Sequence, residues 1–209
     1  MSAQALTAAP PKRGTLAYLD VFPDEVLTMS FEEYLENELK NEYKSEFYKN
    51  KVRAIMPYTS QPHSDILTNI DIALKPYVRS KKWYSARETR PIKIISCDLN
   101  TYPDYFIVEE SHKIAFKGQQ MAELTPSVII EVLSPTTEGY DKGKKLRCYR
   151  QIPSLKQIFL IAQNEATIDV YQKNEKNEWI YFDVTGLDKT VIIAEKDVLL
   201  SDIYLEIVF

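Results

Sequence analysis

Pro126-Ser-Val-Ile-Ile-Glu-Val-Leu-Ser-Pro135 is the stretch that decides the architecture. Its apolar run, Val128 to Leu133, is closed by Ser-Pro and has the length of a strand, far short of the roughly 20 residues a membrane-spanning helix needs. Glu131 stands in the middle of it. An ionised carboxylate among apolar neighbours is costly unless it is paired or ligates a cation. Alternation along a strand offers a simpler escape: if one face alone is covered, Glu131 looks outward to water. On this stretch by itself both readings stay open.

Upstream, Pro103-Asp104 opens a second apolar run, Tyr105-Phe-Ile-Val108. Neighbouring strands lie about 4.8 Å apart, so two such strands would let Asp104 and Glu131 share one hard divalent cation. A site with few protein ligands and much water suits Mg²⁺. Pro-Asp is equally a turn dipeptide. Downstream, Asp141 to Gln151 reads as a helix that carries Lys142, Lys144, Lys145, Arg147 and Arg150, with no acid after Asp141. Such a face contacts backbone phosphates, and a lysine beside a metal stabilises charge on a phosphoryl group. Asp141 and Lys145 also form an i,i+4 pair worth about 0.3–0.5 kcal/mol on a solvated helix.

The rest of the chain alternates between helical and strand patterns. Ser30 and Glu33 form a capping box ahead of a helix to about Lys40, and Glu46 to Pro57 reads as a strand. Ser64 to Ser80 is an amphipathic helix that Pro76 should bend or end, preceded by His63, which fits a loop or capping residue. Trp83 to Ile95 holds one or two strands. Four more strands are expected at 157–162, 167–172, 179–184 and 190–194, with a turn at Asn174 to Asn177, and 199–208 closes the chain as a short helix or strand. The fold class is α+β, with residues 1–20 a flexible tail and 21–209 one domain.

With 209 residues, 44% hydrophobic and 27% charged, the chain can build a substantial core. Lys and Arg number 26 against 30 Asp and Glu, which excludes a globally basic nucleic-acid binder but leaves room for a basic groove. Cys97 and Cys148 lack zinc-site spacing and read as small packing residues. Five glycines, none arranged as a phosphate loop around Gly143-Lys144-Lys145, exclude a P-loop nucleotide site. Neither a secretory signal nor a membrane span is visible, so a cytoplasmic location and no membrane partner are expected.

Taken together, Tyr102-Pro-Asp104, Pro126 to Thr137, Asp141 with Lys145 and Tyr149, and Ile152-Pro-Ser-Leu155 resemble the Uma-type "putative restriction endonuclease" family of the PD-(D/E)xK nuclease superfamily. Met29 to Tyr34, Ser45-Glu46, His63 to Asn69, Trp179 and Ser201 to Tyr204 extend the resemblance across nearly all of the chain. It implies a restriction-endonuclease-like core, a central mixed β-sheet flanked by helices, and Mg²⁺-dependent hydrolysis of DNA, with Mn²⁺ as a substitute. Asp104 and Glu131 match the family's metal-binding acids, and Glu46 matches an early glutamate that completes the site in the wider superfamily. The superfamily lysine is missing, because Leu133 stands two residues after Glu131. The resemblance points instead to Lys145 as a relocated catalytic lysine. DNA is the expected partner, and a homodimer would suit an enzyme that cuts two strands. The alternative is an inactive nucleic-acid-binding or interaction domain on a nuclease scaffold.

Overall fold

In the computed structural model the residues described are 26–38, 44–55, 60–88, 90–115, 121–134 and 138–209. The expected tail at 1–20, the end of the first helix at Leu39 and Lys40, and Pro57 lie outside them. The chain divides into two compact units, residues 1–57 and 58–209.

In the first unit, β1 (Leu27–Thr28) precedes α1 (Phe31–Glu38), which is followed by β2 (Ser45–Tyr48) and β3 (Lys51–Ala54). The capping box forms as expected. The Glu33 amide donates to Ser30 Oγ at 3.1 Å, and the Ser30 amide donates to a Glu33 carboxylate oxygen at 2.8 Å. Phe31 and Tyr34 from α1 stack on the buried Phe47 of β2, with ring centroids 5.1 and 5.3 Å away. Where one strand was expected from Glu46 to Pro57, the chain folds into an antiparallel hairpin of β2 and β3. Its turn places Lys49 and Asn50 at φ 46° and 63°, the twist that matches two-residue hairpins. The turn carries no glycine, so the residues gave little sign of it.

The second unit is built on a six-stranded sheet in the order β13-β12-β11-β10-β7-β4. These strands are β4 (Tyr84–Arg87), β7 (Tyr105–Val108), β10 (Val128–Val132), β11 (Gln157–Ile161), β12 (Thr167–Lys173) and β13 (Trp179–Thr185). All of β10 is buried, so both its faces are covered. Helix α2 (Gln61–Ser80) covers one face, packing Ile66, Ile70, Leu74 and Val78 against Val128, Ile130 and Val132. Each such side chain contributes about 1.5–3 kcal/mol of burial. The hairpin β14 (Thr190–Ile193) and β15 (Lys196–Leu199), with α4 (Leu200–Ile203), completes this core.

Helix α2 begins three residues earlier than the sequence pattern suggests. Ser60 caps it by accepting from the His63 amide, and a proline in the first turn is well tolerated. It also continues through Pro76 rather than ending there. The carbonyl four residues back belongs to Ile72, which is 69% exposed, so water can satisfy what the missing N–H leaves unpaired.

Strand β10 runs antiparallel to β7 and parallel to β11. A parallel pair needs a crossover, and α3 supplies it. This helix is composite: Glu138–Tyr140 and Leu146–Tyr149 are α-helical, and Asp141–Lys145 between them is a π-turn. A further group of strands, β6-β5-β9-β8, holds β5 (Ile92–Ile94), β6 (Leu99–Thr101), β8 (Lys113–Ala115) and β9 (Met121–Glu123). All four are three residues each, too short for a periodic signal.

The cysteines correct the sequence reading. Cys97, which follows β5, and Cys148, in α3, are joined by a buried disulfide across 51 residues of chain. It ties the crossover helix to the strands beside it. Cys148→Ser should lower stability by about 2–4 kcal/mol in thermal melts. Reductant should bring the wild type to the variant's midpoint, and a wild type indifferent to reductant would show that the bond does not form in solution.

Candidate active site

Strand register assembles the site. Because Ile130 pairs with Tyr105, Glu131 falls beside Asp104, and because Arg87 pairs with Tyr105, Glu88 falls on the other side of Asp104. The Glu88 amide donates to the Asp104 carbonyl at 3.1 Å. Asp104 Oδ2 accepts from the Val132 amide at 2.7 Å, and the Asp104 amide makes a longer contact of 3.4 Å to Glu131 Oε2. Three carboxylates therefore lie in a row across the ends of three adjacent strands.

Glu131 does not look out to water. It is 2% exposed and faces the side opposite α2, where α3 lies. Lys145 Nζ stands 3.0 Å from Glu131 Oε1 and 3.4 Å from Asp141 Oδ1, and the Tyr149 hydroxyl donates to the same Glu131 oxygen at 2.5 Å. Burial pushes the Glu131 carboxyl well above the usual carboxylate range, while Lys145 pulls it down and the charges of Asp104 and Asp141 push it up again. Lysine and tyrosine are how this strand carries an acid.

The π-turn matters to this arrangement. One widened turn brings Asp141 and Lys145, both buried, to the same inward position as Tyr149 one turn later. Lys145 thus reaches the acid that Leu133, buried in the apolar run, cannot serve. The expected basic face of the helix is divided by the same geometry. Lys145 is internal, Lys142 pairs with Asp169 of β12 at 3.1 Å, and Arg147 and Arg150 are exposed.

Asp104 also meets a residue that the sequence reading set aside. His63 Nε2 lies 3.6 Å from Asp104 Oδ1 and 3.7 Å from Glu88 Oε1. Burial lowers the imidazole pKa, but the two acids beside it outweigh burial and raise it to about 9. His63 is a helix-entry residue too, its amide bonded to the Ser60 cap, which is the role its sequence setting suggested. Glu88 gave no signal at all, since only the pairing of β4 with β7 brings it to Asp104.

Glu46 lies in the first unit, buried on β2, with Arg53 Nε 3.1 Å from its carboxylate. Among the described residues of the second unit, the carboxylates of Asp104, Glu131 and Glu88 and the imidazole of His63 come together where they could hold a cation. Their hard oxygens suit a small divalent ion.

The ion pair at Glu131 is buried on both sides, so removing one partner strands the other. Lys145→Met should cost about 3–5 kcal/mol in denaturant unfolding, and the double variant with Glu131→Gln should regain most of that. Additive losses would show that the two side chains do not depend on each other.

The fold and the sequence have counterparts. A crystal structure of a protein from Anabaena variabilis, titled a putative nuclease belonging to DUF820, superposes with a TM-score of 0.60 at 21% identity, covering 81% of this chain and 96% of that one. The likeness is one of fold. Two Synechocystis proteins align along most of their length. "Uncharacterized protein sll1609" is 30% identical over 154 residues, 74% of this chain and 86% of that protein. "Uncharacterized protein slr1290" is 28% identical over 161 residues, 77% of this chain and 83% of that protein. The sequence profile of the Uma2 family, described as "Putative restriction endonuclease", matches residues 31–201, and the chain belongs to that family.

Proposed function

We propose that this chain is a metal-dependent nuclease that hydrolyses phosphodiester bonds in DNA, with Asp104 and Glu131 as metal ligands and Lys145 as the catalytic cation. The observation that carries the reading is the meeting of Lys145 with Glu131 at 3.0 Å, beside Asp104, at the end of a buried strand. Membership of the family supports it, as does the nuclease title of the Anabaena protein that shares the fold.

When bound, Mg²⁺ or Mn²⁺ supplies Lewis acidity toward a phosphoryl oxygen and lowers the pKa of water. The protein supplies position and charge. Asp104 is held by the Val132 amide through one oxygen, which leaves the other free of that bond and turned toward His63 and Glu88. Tyr149 and Lys145 fix the orientation of Glu131. Lys145, set between two acids, places its ammonium group where a phosphate would develop negative charge. Exposed Arg147 and Arg150 on the same helix are available to backbone phosphates. This ligand set is drawn from the second unit and does not require Glu46.

One observation favours the inactive-scaffold alternative: a lysine and a tyrosine both meet Glu131 Oε1. Cleavage of supercoiled and single-stranded DNA with Mg²⁺ or Mn²⁺ separates the two. Asp104→Asn and Glu131→Gln should each lower cleavage at least about 100-fold, and Lys145→Ala similarly. Metal-independent binding that weakens with salt, with no cleavage by the wild type, would establish the scaffold instead.

A further inference from the structure

We propose that His63, Glu88 and Asp104 form a mixed nitrogen and oxygen cation site, which takes a first-row divalent ion such as Mn²⁺ in preference to Mg²⁺. The inference rests on the nuclease reading for its purpose and deepens it by naming the metal class.

Two independent observations carry it. The first is proximity: one ligand atom from each of the three side chains lies within 4.8 Å of the others, close enough for small movements to close them on one ion. The second is the imidazole. His63 is 6% exposed, and its Nε2 has no hydrogen-bond partner although it points between two carboxylates. A buried ring nitrogen left without a bond costs free energy, and a site that retains one needs an explanation. A cation supplies it, because the neutral ring donates its lone pair to the metal.

The fold gives these ligands fixed positions. His63 sits in the first turn of a 20-residue helix, anchored through its amide by Ser60. Glu88 and Asp104 are joined across paired strands by a backbone hydrogen bond, and Asp104 is held again by Val132. Asp104 therefore stands between two groups of ligands, Glu131 on one side and His63 with Glu88 on the other. Carboxylates alone suit Mg²⁺, which keeps much of its water, whereas an imidazole beside carboxylates suits first-row transition ions.

The sequence contains only two histidines, which makes the test direct. Mn²⁺ is titrated into wild type, His63→Gln and His112→Gln by calorimetry, with Mg²⁺ in parallel, and the Mn²⁺-loaded proteins are examined by electron spin-echo envelope modulation. Imidazole ¹⁴N coupling should appear in wild type, persist in His112→Gln and vanish in His63→Gln, with Mn²⁺ affinity falling at least about tenfold there. Labelling the wild type with ¹⁵N-histidine should change the coupling pattern, a measurement that needs no substitution. Wild type should bind Mn²⁺ more tightly than Mg²⁺. Mn²⁺ binding without nitrogen coupling would overturn the site while leaving the nuclease reading to its cleavage assay. Coupling traced to His112 would overturn it equally, and no binding of either ion would overturn both.

Discussion

The second unit depends on one electrostatic bargain. A strand covered on both faces carries a carboxylate at Glu131, and the free energy of burying that charge is offset by Lys145 and Tyr149 on the helix that crosses over the same strand. The crossover is not optional, because β10 and β11 are parallel. The topology that requires a helix at this place is thus the topology that delivers the counter-charge. On the other face Ile66, Ile70, Leu74 and Val78 of α2 form an apolar layer against β10, while the counter-charge of Glu131 comes from the α3 side.

From that interaction the rest of the site follows by register. Antiparallel pairing of β7 with β10 and with β4 sets Glu131, Asp104 and Glu88 abreast, and the N-terminal turn of α2 adds His63 at the same end. Four ionisable groups converge on one rim of the sheet, where strand ends and helix ends meet. Burial and the charges of Asp104 and Asp141 raise the proton affinity of Glu131, Lys145 lowers it, and the His63 imidazole stands on the other side of Asp104.

Much of this was readable from the residues. The capping box at Ser30, the buried strand around Glu131 and the paired strands from 157 onward have local signals that tertiary packing did not override. Asp104 and Glu131 were legible because an acid against an apolar run is conspicuous. Lys145 came from the family likeness, since nothing in a helix with five basic residues marks which one turns inward. Glu88 was invisible for a different reason: its role depends on a pairing between strands about 20 residues apart. The disulfide was hidden in the same way, as two cysteines 51 residues apart carry no mark of partnership. The hairpin at Lys49-Asn50 lacked the glycine that usually announces such a turn.

The π-turn at Asp141–Lys145 turns chain length itself into a constraint. Such a turn is an ordinary α-helix with one residue inserted, so a single deletion within it would let the backbone relax to α geometry. The widened turn takes up that extra residue locally, so the helix on either side would keep its facing. A deletion in the α-helical part has no such slack and would rotate Tyr149 and Cys148 by about 100° away from the faces they now meet, although both side chains would still be present.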